Sequence, residues 1–117
     1  PHGAICAALL PHSWTINVAA LEGRVAAEDP ALAARALERY ARVARALTGN
    51  PDATVRDGIA WIVDLCEHCG VRGLGSLGLR ESDFAAVVEK SKQSSSMKGN
   101  CVALNDDELT AMLKLAM

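Results

Sequence analysis

Large aromatic residues are scarce in this chain: of 117 residues, Trp14, Tyr40, Trp61 and Phe84 are the only Trp, Tyr or Phe. A core built without them leans on alanine and small aliphatics, so its helices should approach closely. Period-2 alternation and β-branched clusters are missing too, which argues against a sheet. The longest apolar run, Ala4 to Leu10, is far shorter than the ~20 residues a membrane span needs. The start carries no basic n-region followed by a small-residue cleavage site, so no signal peptide is read. A net charge of −2 with interspersed signs gives no basic stripe and no nucleic-acid footprint. The four cysteines, without secretory context, fit a reducing cytosol better than a disulfide framework. The expectation is a single all-helical domain over residues 1–117, cytoplasmic, with no membrane and no nucleic-acid partner.

What is present is helix punctuation. A first helical stretch runs from about Gly3 to Gly23, with a break expected at Pro11, where the ring removes a donor and crowds the preceding turn. Asp29-Pro30 reads as an N-cap followed by the first helical position. The helix it opens is expected to bury Leu32, Ala36, Leu37, Tyr40, Val43 and Leu47. Arg35, Glu38, Arg39, Arg42 and Arg45 form its solvated face, with Glu38 and Arg42 in the favourable i,i+4 order. Thr48-Gly49-Asn50-Pro51 ends it. Thr54 and Asp57 make a capping box for a helix reaching about Cys69. Val71 to Leu79 reads as an extended connector, and Ser82 as the cap of a helix holding Phe84, Val87 and Val88. Ser94 to Asn100 forms a polar loop. Asn105 and Glu108 box the last helix, which should present Leu109, Met112, Leu113 and Met117 on one side. No internal repeat is visible.

Few groupings could carry chemistry. Cys66-Glu67-His68-Cys69 has the spacing of a zinc or redox pair. However, it lacks a second ligand pair, and it falls at a helix C-terminus, where the dipole raises a thiol pKa. It reads as core and cap. His2 and His12 stand about 80° apart around a continuous helix and about 15 Å apart along it, so they cannot share one ion. A nucleophile–base pair, a phosphate-cradling loop and a carboxylate pair are all missing, so no catalytic or cofactor-binding residue is assigned. A histidine at position 2, on the edge of a helix, suggests a chain whose chemistry lies on a side not included here.

Pro1-His2-Gly3, followed by Leu9-Leu10-Pro11-His12 and Asn17, resembles the start of the C-terminal helical domain of the iron-containing (group III) alcohol dehydrogenases. The likeness continues in order through Thr48-Gly49-Asn50, Asp57-Gly58, Leu65 to Gly70, Leu74, Gly78-Leu79, Met97-Lys98-Gly99-Asn100 and the Leu104–Leu109 segment. Arg72 and Cys101 depart from it, each standing where the family usually has proline; both positions concern loop shape.

The resemblance implies a dehydroquinate synthase-like C-terminal domain, a compact bundle of about five to six helices with no sheet. It implies that His2 is one ligand of a divalent ion, Fe²⁺ or Zn²⁺, in the intact enzyme. The remaining Asp and two His would come from an upstream region, as would a domain binding NAD(P). His12 matches a histidine that is not a ligand. Ser96, Met97, Gly99 and Asn100 match a segment that approaches the substrate cleft, where a small alcohol or aldehyde would bind. On this reading the chain is inactive alone, binds no metal tightly, and associates as a homodimer through apolar surface near its ends. The alternative is a stand-alone helical module that dimerises or binds a partner without catalysis.

Overall fold

The computed structural model describes residues 1–117 and contains helices and 3-10 turns, with no strand. The all-helical expectation is borne out. Helix α1 covers His2–Glu28, α2 Pro30–Thr48, α3 Val55–His68, α4 Phe84–Gln93 and α5 Asp106–Leu115. Short 3-10 turns occupy Leu74–Leu77, Glu81–Asp83 and Ser95–Gly99.

The expected break at Pro11 does not occur. Pro11 is buried inside an unbroken helix. Its ring leaves the carbonyl of Ala7, four residues back, without the usual amide donor. The thiol of Cys66 on α3 lies 3.9 Å from that carbonyl oxygen, a weak substitute for the missing bond. The helix does not stop at Gly23 either. It widens into a π turn over Leu21–Val25 and continues to Glu28, placing one extra residue in a turn. By length and composition α1 could cross a membrane. Here it is the central helix, and its polar residues Asn17, Glu22 and Arg24 all bond to other elements of the fold.

Two apolar clusters are built on α1. Near its N-terminal half, Ala8 packs with Leu74, Phe84, Val88, Leu109 and Leu113. Near its C-terminal half, Ala20, Leu21 and Val25 pack with Ala33, Ala36 and Val102. Leu104 touches both clusters.

Helix α2 begins as expected, with the Asp29 carboxylate accepting from the amide of Leu32 and proline in the first turn. It ends at Gly49 with φ 67°. Its buried line differs from the expected one. Ala36 is buried as expected, but Ala33 and Ala44 are buried beside it, whereas Leu32 and Val43 are exposed. Small side chains let backbones approach: a Cβ added to Gly58 of α3 would stand 2.6 Å from the Cβ of Ala44. The larger residues flank that contact. Glu38 pairs with Arg45 at 2.7 Å instead of with Arg42.

The capping boxes at Thr54/Asp57 and Asn105/Glu108 form as expected. Ser82 does not cap α4: Asp83 precedes it without a side-chain cap bond, and its carboxylate instead closes the preceding 3-10 turn by accepting from the amide of Arg80 at 3.0 Å. The connector from Val71 to Leu79 is not simply extended. It contains a 3-10 turn, and the amide of Leu74 donates to the carbonyl of Ala116 at 2.7 Å. In the last helix Leu109 and Leu113 are buried, while Met117 is exposed.

Candidate functional site

His2 occupies the first turn of α1, and its imidazole is exposed. One turn later, the Sγ of Cys6 lies 3.4 Å from its Nε2. Three or more His, Cys, Asp or Glu side chains are nowhere gathered at ligating distance in this chain. The donor chemistry at this end is one accessible imidazole with one thiol beside it. That set fits a divalent ion as a partial ligand group and does not enclose one.

The Ser94–Asn100 segment folds into a 3-10 turn, with the hydroxyl of Ser94 accepting from the amide of Ser96. The structure brings Ser96, Met97, Gly99 and Asn100 together on one pocket of about 440 Å³. Its opposite walls are Leu9 and Ser13 of α1, Val87 and Ser91 of α4, and Leu109 and Met112 of α5. No ionised side chain lines it. Apolar walls with a few hydroxyls suit a small, neutral, weakly polar molecule.

His2, Cys6, Leu9 and Ser13 fall at i, i+4, i+7 and i+11, within about 40° of one line along the helix. The imidazole therefore shares a helix face with the pocket wall, about 10 Å along the axis from Leu9.

Asn100 is fixed from behind. Its amide nitrogen donates to Oδ1 of Asn17 and to the carbonyl of Val102, and its own Oδ1 accepts from Asn17. Asn17 also donates to the hydroxyl of Tyr40. Tyr40 in turn sits 3.4 Å from the thiol of Cys101 and packs edge-on against Trp14. Burial, followed by the contact with Cys101, pushes the Tyr40 hydroxyl well above its ordinary pKa. The network holds the loop to α1, and no buried side-chain polar atom in the chain lacks a partner.

Cys66 is half-buried and Cys69 is exposed at the end of α3. Burial, and next the neighbouring Cys69, raise the Cys66 thiol pKa, the opposite of what a nucleophilic thiol requires. His12 lines a smaller pocket with Cys66 and Arg72, and burial lowers its pKa, so its neutral form is favoured. The sequence motifs single out neither Cys6 nor the tertiary role of Asn17. Cys6 was legible as the i+4 neighbour of His2. The partner of Asn17 lies 83 residues away, beyond any local pattern.

The fold and its loop-walled pocket define an all-helical domain with a cleft beside the N-terminal half of its central helix. The family model described as Fe-containing alcohol dehydrogenase family, C-terminal, matches residues 1–117, and the chain belongs to that family as its C-terminal domain. Comparison with curated proteins and with solved structures gives no match.

Proposed function

We propose that this domain forms one wall of the active-site cleft of a metal- and NAD(P)-dependent alcohol dehydrogenase. His2 donates an imidazole to the catalytic Fe²⁺ or Zn²⁺, and Ser96, Met97, Gly99 and Asn100 border the substrate. The observation that carries this reading is the shared face of α1, with His2 at one end and the loop-walled pocket against Leu9 and Ser13 further along. When bound, the ion polarises the substrate oxygen as a Lewis acid and so eases hydride transfer to the nicotinamide.

The chain's own residues bind and orient. Leu9, Val87 and Met97 exclude water from the carbon skeleton of an alcohol or aldehyde. Ser13, Ser91 and Ser96 offer hydroxyls that can donate or accept. Gly99 lets the backbone come close, and the Asn17–Asn100 pair keeps that backbone in place. The remaining metal ligands come from helices upstream of this chain and the nicotinamide site from a separate nucleotide-binding domain that packs on this one, and the enzyme is a cytoplasmic homodimer.

The test is NAD(P)-linked oxidation of short alcohols by the enzyme carrying both domains. Ser96→Trp should lower kcat/KM by about tenfold or more, because small displacements in a cleft are costly, or reorder substrate preference. Unchanged kinetics and preference would remove the loop from the cleft.

A second reading, a helical module that associates without catalysis, draws on the exposed Ile5, Leu10, Leu115 and Met117. It predicts no alcohol-dependent reduction of NAD(P)⁺ by the enzyme carrying both domains.

A further inference from the structure

We propose that the groove between α2 and Trp14 of α1 binds an amphipathic organic anion, a carboxylate or phosphate carried on an apolar body. The groove shares no lining residue with the loop-walled cleft, so it is a second site, independent of the roles given to His2 and the loop.

Leu32, Ala36, Arg39 and Val43 fall at i, i+4, i+7 and i+11 of α2, within about 40° of one line, and all four line the groove. Arg35 stands one turn before Arg39 on the same side. The remaining wall is Trp14, Tyr40 and Cys101, with the two rings edge-on and 4.7 Å apart. These side chains border about 530 Å³. Leu32 and Val43 are 37% and 45% exposed because helical spacing turns them toward this groove, and the buried Ala36 between them leaves the space open.

The groove is cationic as well as apolar. Helix α2 carries Arg35, Arg39, Arg42 and Arg45 against a single carboxylate, Glu38, in a chain whose net charge is −2. Glu38 is taken by Arg45 at 2.7 Å. Arg35 and Arg39 pair with no carboxylate, and no acidic side chain lines the groove. Like charges one turn apart repel. An anion between the two guanidinium groups relieves that repulsion and gains charge-assisted, two-pronged hydrogen bonds. Charge complementarity therefore selects an anion. The Trp14 and Tyr40 rings, with Leu32 and Val43, select one with an apolar body, since a bare inorganic anion would leave those walls in water.

The test is calorimetric titration of the full chain with octanoate and octyl phosphate, against octanol and octylamine as neutral and cationic counterparts. Emission from Trp14 is followed in parallel in a Trp61→Phe background, where it is the only indole. Both anions should saturate at one per chain and shift that emission. Octanol and octylamine should bind about tenfold more weakly or less, because hydrogen bonds between charged partners are the strong ones. Arg35→Gln and Arg39→Gln should each weaken octanoate binding by about fivefold or more, and Arg45→Gln, outside the groove, should leave it unchanged. Raised salt should weaken octanoate and spare octanol. Arg35 and Arg39 are exposed, and circular dichroism checks that the fold is retained. Octanol binding as tightly as octanoate overturns the proposal. Octanoate binding unchanged when Arg35→Gln and Arg39→Gln are combined overturns it as well. So does the absence of saturable octanoate binding; if Arg39→Gln then also shifts sedimentation toward monomer, the groove belongs to an acidic surface of a second copy.

Discussion

The side-chain amides of Asn17 and Asn100 bond reciprocally, each nitrogen donating to the other's oxygen at 2.9 Å. Asn17 lies in the middle of α1 and is only 4% exposed; Asn100 closes the loop that walls the pocket. An unpaired buried amide costs about 1–3 kcal/mol. Asn100→Ala should therefore destabilise the domain by about 2 kcal/mol, measured as a shift in the urea midpoint. In a double-mutant cycle with Asn17→Ala, the two losses should be clearly non-additive. Additive losses would mean the two amides act separately.

Backbone approach makes a second prediction. A Cβ on Gly73 would stand 2.1 Å from the carbonyl oxygen of Met117, next to the bond from the Leu74 amide to Ala116. Because the obstacle is backbone, a flexible side chain cannot simply yield. Gly73→Ala should cost about 1–3 kcal/mol and expose the C-terminal residues to proteolysis. Gly70→Asn, at φ 64° with open space around it, should cost far less, since asparagine tolerates that conformation. Equal losses at the two positions would contradict the close-approach account.

The ion pair between Arg24 and Glu108 ties the π turn of α1 to the start of α5. Nε and Nη2 of Arg24 donate to the two carboxylate oxygens at 3.1 and 2.8 Å, and Nη2 also donates to the carbonyl of Ala103. The hydrogen bond from Arg24 is the main cause holding the Glu108 carboxyl below its ordinary pKa. The folded state therefore resists protonation more than the unfolded chain does. This contribution is complete above the ordinary glutamate range and fades as pH falls below about 4.5 through the lowered value. Glu108→Gln should lose roughly 1 kcal/mol at neutral pH, allowing for solvent screening of a partly exposed pair. Its stability should also fall less steeply with acid. Urea midpoints at neutral pH and near pH 3 check both parts.

Much of this architecture was legible because caps are local. Asp29-Pro30, Thr54 with Asp57, Asn105 with Glu108, and Gly49 each act within one turn, and the structure uses all four. The misreadings share a cause: tertiary contacts override local signals. Pro11 should break a helix judged alone, but here it is buried in a helix packed by α3 and α5, with the thiol of Cys66 near the freed carbonyl. On α2, helical spacing places Leu32 and Val43 on the buried face with Ala36. The true contact line runs through alanines, because Ala44 meets Gly58. At the candidate site, the loop residues were legible through family likeness. Their common pocket, and the amide bond holding Asn100 to Asn17, depend on contacts between distant parts of the chain.

Exposed apolar side chains predict self-association. Ile5 and Leu10 on α1, and Leu115 and Met117 at the C-terminal end, are all more than 40% exposed. Their burial in a two-fold dimer should be insensitive to salt, unlike an interface made of charged pairs. Sedimentation equilibrium at micromolar concentration, in low and high salt, should show the same dimer, with Leu10→Glu or Leu115→Glu shifting it toward monomer. A monomer under all conditions would contradict the prediction.

The most direct test of the central claim is the metal content of the enzyme carrying both domains, measured for wild type and for His2→Ala after identical metal loading and desalting. The account predicts about one divalent ion per chain in the wild type. In His2→Ala, affinity should fall by at least about tenfold, with circular dichroism and thermal midpoint unchanged and NAD(P)-linked alcohol oxidation lost in parallel. Full metal occupancy and full activity in His2→Ala would contradict it.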